Sequence, residues 1–98
     1  MFTQPRPGTI ACDEGWQVRS LGRIGVQYGE GERTMEIDAE VLMGQAGLAL
    51  YTSSIRNWSP PYDHEVLGDA DRERIVENVR RAYKFLGYDI HIYRGHTL

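Results

Sequence analysis

The stretch Asp69-Ala-Asp-Arg-Glu-Arg-Ile75-Val76-Glu-Asn-Val79-Arg-Arg-Ala82-Tyr83-Lys-Phe-Leu86 decides the fold. Set out at about 100° per residue from Ile75, the side chains of Ala82, Leu86, Val79, Tyr83 and Val76 share an arc of roughly 120°. Glu73, Glu77, Arg80, Arg81 and Lys84 fall opposite, and Phe85 belongs to neither side. Asp69 is expected to cap the helix, with Asp71 and Glu73 at the positive end of its dipole and Arg80, Arg81 and Lys84 at the negative end. Gly87 follows as the left-handed stop. A helix with one apolar face of this width must lie on something, and the sequence around it supplies a sheet.

Outward from the helix, the chain reads at period two. Trp16 to Ser20 alternates, as do Ile24, Val26 and Tyr28. Gly29-Glu-Gly31-Glu offers a turn. Met35, Ile37, Ala39 and Val41 then form the clearest apolar row, with Thr34, Glu36, Asp38 and Glu40 on its other side. A turn over Gly44 to Gly47 leads to Gly47–Ser53, apolar enough to be central. After the helix, Tyr88–Tyr93 alternates again. The expected fold is α+β: an antiparallel meander packed on one main helix with a C-terminal strand, in the order β-β-β-β-α-β. Pro5, Pro7 and Gly8 mark residues 1–15 as an irregular N-terminal arm, leaving 16–98 as a single domain.

Ninety-eight residues suffice for one core without metal or disulfides. The lone Cys12 forms no internal disulfide and suits a reducing compartment. The Asp13-Glu14 pair beside it opposes thiolate formation. Neither an export signal nor an apolar run of about 20 residues is visible, so a cytoplasmic protein is expected, with no membrane partner. The net charge is −3, and the acids crowd at Glu30, Glu32, Glu36, Asp38 and Glu40, with Arg33 between them. Such a face repels nucleic acid and attracts basic partners.

Ser53-Ser-Ile-Arg56-Asn-Trp58-Ser-Pro60-Pro61-Tyr62-Asp63 has neither period. Its paired prolines predict an extended, semi-rigid loop. That loop would present Arg56, Trp58 and Tyr62, residue types that anchor interfaces; the competing reading folds Trp58 back into the core. Candidate chemistry is thin. Ser53 or Ser54, His64 and Asp63 or Asp89 could furnish a hydrolase near Pro60-Pro61, but no nucleophile elbow is present. His91, His96 and Asp89 do not make a rigid metal set, and the row at 36, 38 and 40 points in parallel rather than converging. Arg72, Arg74, Arg80 and Arg81 interleave with acids as a salt-laced helix face. No catalytic residue, metal or cofactor is assigned.

Three pieces carry a family resemblance: Glu36-Ile-Asp-Ala-Glu-Val-Leu with Leu48-Ala-Leu-Tyr51; the loop Ser53–Asp63; and Arg72-Glu-Arg-Ile-Val-Glu-Asn-Val-Arg-Arg-Ala-Tyr through Phe85-Leu-Gly-Tyr88. Across about residues 33 to 93 the chain resembles the small immunity proteins of bacterial polymorphic-toxin and contact-dependent growth inhibition systems. The resemblance implies a non-enzymatic protein that binds and neutralises the C-terminal domain of a cognate toxin, such as a nuclease. Trp58 and Tyr62 would anchor it, Arg56 would meet a carboxylate, and Asp63, Glu65, Glu36, Asp38 and Glu40 would oppose partner bases. A monomer is expected. The alternatives are a homodimeric accessory domain pairing through a strand at Tyr88–Tyr93, or the small hydrolase.

Overall fold

The computed structural model describes residues 1–22, 25–41 and 47–93, so Ile24, the predicted turn at 44–46 and His96 lie outside the described residues. It is an α+β fold with eight strands and one long helix among those residues. Strands β1 (Phe2–Arg6), β2 (Thr9–Cys12), β3 (Trp16–Ser20), β4 (Val26–Glu30) and β5 (Arg33–Ile37) make an antiparallel sheet in sequence order. Strands β6 (Ala39–Val41), β7 (Gly47–Tyr51) and β8 (Asp89–Tyr93) make a second, smaller sheet. In it β6 and β7 are antiparallel, and β8 returns parallel to β7 after helix α1 (Asp69–Phe85).

Three expectations are corrected. The N-terminal segment is a β-hairpin rather than an irregular arm: β1 pairs with β2 through a turn at Gly8, where φ is 82°. Pro5 is tolerated because β1 is an edge strand whose register shifts between Thr3 and Arg6. The long strand predicted over Met35–Val41 breaks at Asp38 and serves two sheets. Its side-chain period survives the break, with Met35, Ile37 and Ala39 buried and Glu36, Asp38 and Glu40 exposed. The corner needs Gly25, since a Cβ there would lie 2.5 Å from the Ile37 carbonyl oxygen. Finally, Gly68 rather than Asp69 occupies the N-cap, and the capping carboxylate is Asp71, which accepts from the Gly68 N–H at 3.0 Å.

The helix otherwise follows its pattern. Ile75, Val76, Val79 and Ala82 are buried, each large apolar side chain contributing roughly 1.5–3 kcal/mol before ordering entropy is subtracted. Gly87, at φ 88°, closes it, with the Tyr88 N–H reaching back to the Tyr83 carbonyl at 2.9 Å. Phe85 stays half-exposed against Phe2 of β1, ring centroids 5.4 Å apart. The helix is tied to the first sheet by Asn78, which donates to the Tyr28 hydroxyl at 2.8 Å, and by Arg74 on Glu30 and Arg81 on Glu14. It also packs along β8.

At the centre of the core, Tyr28 is stacked between Trp16 and Trp58, with centroids 6.2 and 6.3 Å away. Burial, and then the bond its hydroxyl donates to Glu30, push the Tyr28 phenol well above its ordinary range.

Candidate functional site

The loop from Ser53 to Asp63 folds back on the first sheet instead of extending from it. Its Tyr62 N–H donates to the Ser59 carbonyl and the Glu65 N–H to the Tyr62 carbonyl, both at 3.1 Å, so consecutive turns replace the expected rod. The Pro60–Pro61 peptide bond is cis. The Ser59 N–H donates to the Thr34 carbonyl at 2.7 Å, fixing the loop to the edge of β5.

Several predicted contact residues are consumed in that attachment. Trp58 is 4% exposed and completes the stack on Tyr28, which places it in the core. Glu65 holds Arg33 through two bonds of 2.7 and 2.6 Å; the bond from Arg33 lowers the Glu65 pKa. Arg33 lies over the Tyr62 ring at 4.4 Å, and the Tyr62 hydroxyl donates to Glu32 at 2.9 Å, which raises the phenol's pKa. Tyr62 and Glu65 therefore serve the fold first. Asp63 stays exposed in the loop.

Glu36, Asp38 and Arg56 are brought together. They border an open groove of about 460 Å³ between the end of β5 and the loop, with Ser54 and the run Asn57–Pro60, in which the edge of Trp58 is included. Among the described residues neither the Glu36 nor the Asp38 carboxylate has a hydrogen-bond or ion partner. Arg56 uses only its Nε, donating to the Ser53 carbonyl at 3.3 Å. The wall is rigid: Ser54 Oγ donates to the Tyr51 carbonyl at 2.7 Å and accepts the Asp38 N–H at 2.9 Å. That hydroxyl is engaged with backbone, not with a histidine.

Glu40 continues the row onto the second sheet. It accepts the Tyr51 hydroxyl at 2.9 Å, which raises that phenol's pKa, and Tyr51 stacks on Tyr93 at 5.5 Å. This tyrosine pair was missed from sequence. Tyr51 and Tyr93 are neighbours only because β7 and β8 run parallel in that register, and no local signal encodes it. Among the described residues no group of three or more His, Cys, Asp or Glu converges as a metal would require.

The surface so assembled is acidic and aromatic, with one arginine at its rim. A family model described as Immunity protein 74 matches residues 20–93. The chain belongs to that family. No curated protein and no solved structure gives a significant match. The Immunity protein 74 span contains the whole groove and the tyrosine pair, and it omits the β1–β2 hairpin. Membership makes this an immunity protein, implies a toxin protein as its partner, and points away from catalysis. No helix among the described residues is long and apolar enough to cross a membrane.

Proposed function

We propose that this chain neutralises a toxin domain by contact alone, in the cytoplasm of the cell that makes both. The groove at Glu36, Asp38 and Arg56, continued by Glu40, Tyr51 and Tyr93, is the surface it offers. One observation carries this reading: the acid row stays on one side through the break at Asp38, and its first two carboxylates have no partner among the described residues. Like charges held side by side repel each other, and a basic partner relieves that repulsion while accelerating encounter. A toxin that works on a polyanion, a nuclease for example, carries a basic channel of that kind. Arg56, at the rim, would pair with a partner carboxylate in the planar geometry a guanidinium favours.

The test is co-expression with the toxin domain encoded beside this chain, together with stopped-flow association of the purified pair. The wild type should restore growth. Glu36→Lys with Asp38→Lys should slow association about tenfold or more at low salt and flatten its salt dependence. Glu77→Lys, on the outer helix face, should leave both unchanged. Wild-type kinetics from the double variant would remove the groove from the interface. Failure of the wild type to bind any adjacent toxin would remove the function itself.

A further inference from the structure

We propose that the outer edge of β8, which no described strand covers, is a self-association site, at which two copies of this chain pair antiparallel about His91. This does not rest on the toxin reading. Strand β8 is the last strand of its sheet, with no described strand on its far side. Its outward backbone groups can be identified. The Tyr93 carbonyl accepts from Thr52 Oγ1 at 3.1 Å, and the Asp89 carbonyl oxygen lies 3.3 Å from where a Cβ on Gly47 would stand. Both carbonyls thus face β7. Because a strand alternates, the N–H and C=O of Ile90 and Ile92 face away from the sheet.

Natural edges are usually defended by lysine, proline or a bulge. Asp89-Ile-His-Ile-Tyr93 has none of these, and its register with β7 is unbroken. Exposed large apolar side chains also gather here. Tyr93 lies in the strand and Tyr88 in the turn that feeds it, each about half exposed.

The occupant is a second copy because the strand is its own complement. With the two-fold axis at His91, Ile90 faces Ile92 of the second copy and exchanges backbone bonds with it. The isoleucines, which are half-buried on the inner face, then form one continuous apolar strip. On the outer face Asp89 meets Tyr93 of the second copy, so a carboxylate accepts a phenol O–H and no like charges oppose each other. His91 meets its own counterpart at a non-hydrogen-bonded position, where facing side chains stand closest. The acid row lies toward β6, the opposite edge of this sheet, so Tyr93 is the one residue common to the surface offered to a toxin and the strand offered to a second copy.

Sedimentation velocity of the full chain over a concentration series tests this, with a melting curve for each variant. The wild type should dimerise. His91→Lys and His91→Glu, each placing like charges on the axis at an exposed position, should raise the dimer dissociation constant at least tenfold with little change in melting temperature. Mixing the two variants should restore the dimer, because opposite charges then face each other. A wild type that stays monomeric at its highest soluble concentration overturns the proposal. So does a dimer indifferent to both replacements, or a mixture no tighter than its parts. A monomeric wild type whose toxin affinity falls on either replacement would give the edge to the toxin instead.

Discussion

The loop at Ser53–Asp63 and the row at Glu36–Glu40 lie side by side, and both carry residues suited to binding. They differ in what the fold has already done with them. In the loop, Trp58 is stacked on Tyr28 and Tyr62 is bonded to Glu32 and covered by Arg33, and just beyond it Glu65 grips Arg33. In the row, the carboxylates of Glu36 and Asp38 have no partner among the described residues. Residue type alone does not separate an anchor from a rivet. A side chain whose polar atoms and faces are satisfied internally contributes to stability, and one left unsatisfied at the surface is available to a partner.

The largest effect that could break this contrast is at Trp58. Trp58→Ala should destabilise the domain by about 3–5 kcal/mol, as removing a buried tryptophan does, read as a shift in urea midpoint. Toxin affinity per folded molecule should be unchanged. Lost affinity at unchanged stability would return Trp58 to the interface.

Acid titration sharpens the contrast from the side of the ion pairs. Glu14, Glu65 and Asp71 have depressed pKa values, owing first to the bonds they accept from Arg81, Arg33 and Arg74. A depressed folded-state pKa means the unfolded chain takes up protons first. The stability these groups add is therefore complete above their unfolded values, near 4, and is lost as pH falls through the lower folded values. Melting temperatures from pH 7 to pH 2 should fall in that window. Glu65→Gln should make the decline shallower, and because the pair is partly exposed the change should be modest. A rise in stability on acidification would contradict the assignment of these carboxylates.

The smallest expected effect is at the row itself. Glu36→Lys, at an exposed position, should change unfolding free energy by no more than about 0.5 kcal/mol. A larger loss would mean that Glu36 also belongs to the fold.

Much of the architecture could be read from spacing. The helix, its buried face and its glycine stop follow from a 3.6-residue period, β3 and β8 from alternation, and β7 from its continuous apolar run. The N-terminal hairpin was hidden by its prolines, which weaken a strand assignment without forbidding an edge. The corner at Asp38 left no trace because turning from one sheet into the next did not change which side chains faced inward. Of the site, Glu36, Asp38, Glu40 and Arg56 could be named from their sequence positions, but their shared groove could not. Trp58 had two readings, interface and core, and only the Tyr28 ring stacked on it, distant in the chain, places it in the core.

By itself the sequence determined which residues are apolar at which period, and so that one helix covers a sheet and that the acids share a side. Those are local properties, set by spacing and side-chain chemistry. Only the tertiary structure decided which polar groups found partners, where the strand broke between two sheets, and that Tyr51 stands against Tyr93. Each of these depends on groups far apart in the chain, whose meeting is fixed by packing and register.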